Sequence, residues 1–127
     1  MVTNPDWPII VLFHGSKHPE ANTKARVLVK RLAAQMPARK VEVAFLVQSK
    51  PLLVDAIKEL AETNPRRITI VPAFLFKGTH VTRDITTAIS EAKKEFPVQK
   101  VVVADPIGAC PELVDILKKR LNESEAT

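Results

Sequence analysis

Four apolar runs, each too short to be a helix and each followed by a segment of helical spacing, set what this chain can fold into. The runs are Ile9–Phe13, Val41–Leu46, Ile68–Ala73 and Lys100–Ala104. They are rich in Val and Ile and read as nearly continuous apolar stretches, the pattern of strands covered on both faces. A strand with one wet face would alternate instead. The intervening segments carry apolar stripes at helical period. The first comprises Ala21, Ala25, Leu28, Val29, Leu32, Ala33 and Met36, and the second Leu53, Ala56, Ile57, Leu60 and Ala61. The third comprises Val81, Ile85, Ala88, Ile89 and Ala92, and the last Leu113, Val114, Leu117 and Leu121. A strand–helix order repeated four times implies parallel strands joined by right-handed crossovers. The expected fold class is therefore α/β, a single three-layer domain over residues 1–127 with its core at about 9–121.

Proline placement agrees with these boundaries. Pro19 suits a first helical position, where its missing N–H needs no partner. Pro37, Pro65 and Pro97 each follow a helical stripe and cannot extend it. Glu123–Thr127 reads as a frayed tail. No linker, low-complexity tract or repeat interrupts the chain. For four such strands the expected spatial order is 2-1-3-4, the flavodoxin-like arrangement, with helices on both faces of the sheet. That order reverses between the first and third strands, and open α/β sheets bind ligands in the crevice beyond the strand carboxyl ends at such a point.

With 127 residues the chain is long enough for one domain and its core. Its longest apolar run is far too short to span a bilayer. Met1–Pro8 lacks the cationic start and apolar stretch of a secretory signal. The single cysteine, Cys110, can form no internal disulfide and fits a reducing compartment. These features lead to the expectation of a cytoplasmic protein with no membrane partner. The net charge of +5 favours anionic partners. The cations are scattered, however, and there is no Tyr, so the basic-aromatic interleaving of single-strand binders is missing. A small polycarboxylate or phosphate fits this charge better than nucleic acid does.

Two histidines fall where the crevice is expected. His14 follows the first strand and leads into Gly15-Ser16; His80 follows the third, behind Lys77-Gly78-Thr79. A pair of imidazoles suits Co²⁺, Fe²⁺, Ni²⁺ or Zn²⁺ without choosing among them. Each ring can also accept a proton near neutral pH. Two His ligands without thiolates make an open site, suited to a metal handed on rather than held for structure. The neighbours have structural uses as well as chemical ones. His18, before Pro19, suits an N-cap or a third place at the crevice mouth, and Ser16 suits a cap or a ligand contact. Gly15 and Gly78 permit tight turns and close approach. Thr79 suits the cap of the third helix, and Asp84, in its first turn, the helix dipole. Lys17, Lys77 and Arg83 form either a solvated rim or a set of partners for substrate carboxylates. Cys110 reads as a small packing residue. No dinucleotide fingerprint, Walker loop, nucleophile elbow or Cys-x-x-Cys knuckle occurs, so no organic cofactor is expected.

The residues around the two histidines resemble a known family. His14-Gly15-Ser16 followed by Lys17-His18-Pro19-Glu20-Ala21-Asn22 is similar to the opening of the small CbiX/SirB-type sirohydrochlorin chelatases. Val43-Ala44-Phe45-Leu46 looks like their second strand. Pro72–Ile85, with its Gly-x-His-Val-x-x-Asp-Ile core, resembles their most distinctive stretch, and Pro106-Ile107-Gly108 the segment after the fourth strand. The likeness runs from about Ile9 to Leu121. It implies insertion of a divalent metal, Co²⁺, Fe²⁺ or Ni²⁺, into sirohydrochlorin or a related precorrin, with cobalt the first expectation. It also implies a homodimer, His14 and His80 as metal-binding and catalytic residues, and Ser16, Lys17, Lys77, Gly78 and Arg83 at the substrate. The chain departs from the family pattern at Val47 and Lys50, where acidic residues are common, and at His18, where an aspartate is common. A non-catalytic tetrapyrrole or metal-binding relative is the alternative these departures raise.

Overall fold

The computed structural model describes residues 7–126. Four strands form one all-parallel sheet: β1 (Ile9–Phe13), β2 (Val41–Phe45), β3 (Ile68–Pro72) and β4 (Val101–Val103). Their order is β2-β1-β3-β4, as expected. Helices α1 (Pro19–Gln35), α2 (Leu53–Ala61), α3 (Thr79–Lys93) and α4 (Glu112–Glu125) follow the strands in turn. A 3-10 turn at Ile107–Ala109 precedes α4.

The strand registers explain the two cores. Ile9 pairs with Val41 and Thr69, and Ile10 with Glu42 and Ile70, so alternate residues of β1 look to opposite faces. On one face Ile10, Leu12, Ala44, Ile68 and Ile70 pack under the α2 stripe Leu53, Ala56, Ile57 and Leu60 and under Ile85 and Ala92 of α3. On the other, Ile9 and Val11 pack under Val29 of α1. The sheet is thus covered by two helices on one side and by α1 on the other.

Several expectations need correction. The α1 stripe is narrower than its spacing suggests: only Asn22, Ala25 and Val29 are buried, whereas Leu28 and Leu32 are exposed on its flank. The α4 stripe is mostly uncovered among the described residues: Leu113 is half-buried, whereas Val114, Leu117 and Leu121 are exposed. Glu123–Glu125 are helical rather than frayed, with Arg120 Nη1 2.8 Å from Glu123 Oε1 and Ser124 donating to the Leu121 carbonyl. Thr127 lies outside the described residues. Cys110 is exposed and free, because it follows the 3-10 turn at the surface rather than packing into the core.

Candidate functional site

The crevice at the strand carboxyl ends is built from two loops. The first runs from His14 to His18. Gly15 has φ +95°, and a Cβ there would stand 1.8 Å from the Val47 carbonyl oxygen. No L side chain fits that space, so glycine alone lets this loop lie against the end of β2. The Val47 N–H donates to the His14 carbonyl at 3.0 Å, closing the contact from the other side. Buried Asn22 then grips Ser16 twice. The Ser16 N–H donates to Asn22 Oδ1 at 2.9 Å, and Asn22 Nδ2–H donates to the Ser16 carbonyl at 2.8 Å.

These bonds fix the backbone and leave the His14 ring exposed. Its Nδ1–H donates to the Gly15 carbonyl at 3.2 Å. A carbonyl can only accept, so in the neutral ring this bond selects the Nδ1–H tautomer, which leaves the lone pair on Nε2. That nitrogen is free to bind a metal or take a proton. Ser16 does not cap α1; its Oγ accepts the His18 N–H at 3.0 Å. His18 is the N-cap residue by backbone position, but its side chain makes no capping bond and its Nδ1 lies 3.9 Å from Glu20. It points to no partner in the crevice.

The second loop leaves β3 and enters α3. Ala73 N–H donates to the Leu12 carbonyl at 2.8 Å, extending the sheet by one bond. Ile107 N–H donates to the Phe74 carbonyl at 3.0 Å, tying the loop to the 3-10 turn. Leu75 and Phe76 stand out from it, the latter 75% exposed. Gly78, not Thr79, is the N-cap residue of α3; its φ is an ordinary −84°, and a Cβ there would meet nothing within 4 Å. Gly78 is therefore not demanded by the turn, and open space lies beside it.

His80 sits in the first turn of α3 with its ring 80% exposed. Asp84 belongs to the second turn, too deep to serve the helix dipole. Its Oδ2 lies 3.3 Å from His80 Nε2. The spacing is i,i+4, which places both side chains on one helical face. Asp84 continues into a cleft of about 430 Å³, where Thr87, Ala88 and Glu91 of α3 face Leu46, Val47, Leu52, Leu53 and Val54. Neither histidine lines this cleft. Each is joined to one wall: His14 through the Val47 amide, His80 through the Asp84 carboxylate.

Lys17 and Arg83 are exposed and Lys77 is half-buried, and none of the three forms an ion pair among the described residues. They are unspent cations on the two loops that carry the histidines. Among the described residues no group of three or more His, Cys, Asp or Glu side chains is gathered to hold a metal ion. The arrangement offers single, separated donors of the open kind, not a closed cage.

Three contributors escape a reading of the sequence. Asp84 was legible in principle, because a carboxylate four residues after a helical histidine must share its face. Asn22 gives no signal of its own; a polar residue in an apolar stripe is ordinary until its partner is seen. Arg26 is the third. Its Nη2 donates to Ser49 Oγ at 2.6 Å and to the Lys50 carbonyl at 2.9 Å, with its guanidinium 5.0 Å from the Phe45 ring centroid. It holds the β2–α2 loop that forms one cleft wall.

Comparison with known proteins agrees with this architecture. A family model described as CbiX matches residues 8–124. The sirohydrochlorin cobaltochelatase of Saccharolobus islandicus is 30% identical over 122 residues, covering 91% of this chain and 94% of that protein. The sirohydrochlorin ferrochelatase of Priestia megaterium is 28% identical over 116 residues, covering 91% of this chain but 44% of its own length. The chain thus spans about half the length of the curated ferrochelatases it matches. Among solved structures, Bacillus subtilis SirB in complex with cobalt superposes with a TM-score of 0.84 at 24% identity, covering 93% of this chain and 50% of that one. A CbiX protein from Marinobacter aquaeolei gives a TM-score of 0.78 at 24% identity over 92% and 95% of the two chains. Sheet order, loop construction and a match along nearly the whole sequence lead to one conclusion: this chain belongs to the CbiX family.

Proposed function

We propose that the protein is a sirohydrochlorin metal chelatase, inserting Co²⁺ or, alternatively, Fe²⁺ or Ni²⁺ as substrate in tetrapyrrole biosynthesis. The observation that carries this reading is the pair of exposed imidazoles at two strand ends, one carried on backbone bonded to Val47 and the other bonded to Asp84, both residues lining the same cleft. Insertion exchanges two pyrrole N–H protons for bonds to one cation. His14 Nε2, with its lone pair bare, suits delivery of the metal or acceptance of a departing proton. His80 is the second donor, oriented by Asp84. The acidic side chain missing at Val47 has a substitute on the opposite wall, where Asp84 and Glu91 supply carboxylates.

The macrocycle is a flat apolar body with carboxylates on its rim. Lys17, Lys77 and Arg83 suit that rim, and the open space at Gly78 and the Ser16 backbone suit close approach. Exposed Leu75 and Phe76 suit the apolar body. No organic cofactor enters this scheme. Two copies of the chain, as the homodimer expected from the sequence, would together match the length of the longer ferrochelatases. The cytoplasm is the compartment that suits a lone free thiol; among the described residues no helix is long and apolar enough to cross a membrane.

Absorbance of sirohydrochlorin mixed with purified protein and each metal in turn tests the proposal. Metal-dependent spectral conversion faster than the protein-free rate supports it. The apolar Val47 on the cleft wall favours one rival, a tetrapyrrole or metal carrier without catalysis. The rival predicts saturable binding with no acceleration.

A further inference from the structure

Phe76 is the one aromatic side chain among the described residues that stands in water. Trp7, Phe13, Phe45, Phe74 and Phe96 are buried or half-buried, whereas Phe76 is 75% exposed. A lone exposed apolar residue is ordinary on a protein surface, but Phe76 has company. Leu75 beside it is 57% exposed, and Ile107, on the 3-10 turn after β4, is 37% exposed. Apolar groups gathered on two adjoining loops at the carboxyl end of the sheet are the mark of a binding surface.

The two loops are tied together, which gives this surface a set shape. The Ile107 N–H donates to the Phe74 carbonyl at 3.0 Å. At Gly108 a Cβ would stand 1.8 Å from the Leu75 carbonyl oxygen and 2.7 Å from Phe76 Cε1. Glycine lets the turn lie against the Leu75 backbone, and one edge of the Phe76 ring rests where a side chain would otherwise be. The rest of the ring is open. In the sheet β3 lies between β1 and β4. The loop bearing Phe76 therefore stands between the His14 loop and the 3-10 turn, with Lys77, Gly78 and His80 directly after it in the chain. Phe76 belongs to neither core cluster, so the fold does not call for it.

We propose that Phe76 is the residue on which the macrocycle stacks, with Ile107 and the Gly108 turn as its backing. The proposal rests on the chelatase reading above and deepens it by naming the side chain that positions the flat face of the substrate. A conjugated ring is the fitting occupant because an aromatic side chain gains beyond its buried area from an offset-stacked π-face. Lys77, next in the chain, supplies a cation for a carboxylate at the edge of that face. A purely aliphatic ligand would fit Leu75 and Ile107 and have no use for the aromatic ring between them. The stack is made equally with substrate and transition state, so it acts on KM and leaves kcat alone.

Titration of metal-free sirohydrochlorin into the full chain, followed by macrocycle absorbance, measures the stack apart from metal insertion. The variants are F76A, F76L and F76Y, each compared with wild type. F76A and F76L should bind about tenfold more weakly, and F76Y within about twofold of wild type, since only the last keeps an aromatic face. Co²⁺ affinity should be the same in all four, because neither histidine is altered. In turnover F76A should raise KM by the same factor and hold kcat within about twofold. Sirohydrochlorin affinity unchanged in F76A overturns the proposal. So does full affinity in F76L, which would reduce the contact to apolar burial, and so does a loss confined to kcat. The wild type separates this inference from the functional reading. A wild type that binds no sirohydrochlorin removes both, whereas binding and metal insertion that are indifferent to F76A remove the stack alone.

Discussion

Gly15 shows how one residue can place a reactive group several bonds away. Its left-handed φ and its contact with the Val47 carbonyl leave room for hydrogen only. Replacing it with Ala forces the His14 loop off the end of β2 and breaks the Val47–His14 bond. G15A should lose about 1–3 kcal/mol of stability, the usual cost of an enforced unfavourable backbone conformation, measurable by denaturant unfolding. Gly78 provides the control. Its backbone is one any residue adopts and no atom crowds it, so G78A should leave stability within about 0.5 kcal/mol of wild type. Asp84 acts on His80 by orientation. Removing a partner that orients a ligating histidine typically weakens metal binding about tenfold or more. D84N should therefore weaken Co²⁺ binding by about tenfold in calorimetry without lowering the melting temperature; unchanged affinity would show that the 3.3 Å contact positions nothing.

At the scale of elements, α2 and α3 together cover one face of the sheet. Their mutual packing is supplemented at the rim by Lys58 of α2, whose Nζ lies 3.0 Å from Glu95 Oε1 just beyond α3. Hydrogen bonding to Glu95 raises the Lys58 pKa above the ordinary lysine value, outweighing the opposing effect of burial. A raised lysine pKa contributes stability that is fully present below the unfolded pKa and is lost as pH rises through the folded one. The melting temperature of K58M should therefore sit slightly below wild type at neutral pH, and the gap should close only as the pH rises past the ordinary lysine value of 10.5.

The same elements show what the sequence discloses. The α2 stripe of five apolar residues is fully buried because every position it needs is apolar and nothing else competes for that face. In α1 the period is equally clear, but periodicity gives the centre of a stripe and not its width; Leu28 and Leu32 fall just outside the contact with the sheet. In α4 the period is correct and most of the stripe is uncovered, a distinction no spacing contains. The strand ends differ by a residue from expectation because Leu46 and Ala73 still donate to β1 carbonyls after the ladder formally stops. At the site, the two histidines and the cations were visible from motif and position. Asn22 and Arg26 were not, since their roles depend on which loop the fold brings to them.

The whole molecule is organised around one end of its sheet. Its sheet order puts the reversal between β1 and β3, so both histidine loops open on the same end of the sheet. The donors are few, exposed and spread over two loops, an arrangement suited to releasing a cation rather than keeping it. The central claim is that these two imidazoles pass a divalent metal into a tetrapyrrole. The most direct measurement is the initial rate of spectral conversion of sirohydrochlorin with Co²⁺ and with Fe²⁺, for wild type, H14A, H80A and the double substitution, at matched folded concentration. The account predicts metal-dependent turnover by wild type, a loss of at least about a hundredfold in each single substitution, as expected for removal of a group acting on the reacting atoms, and unaltered folding because both rings are exposed. Turnover that survives the double substitution at the wild-type rate would contradict it.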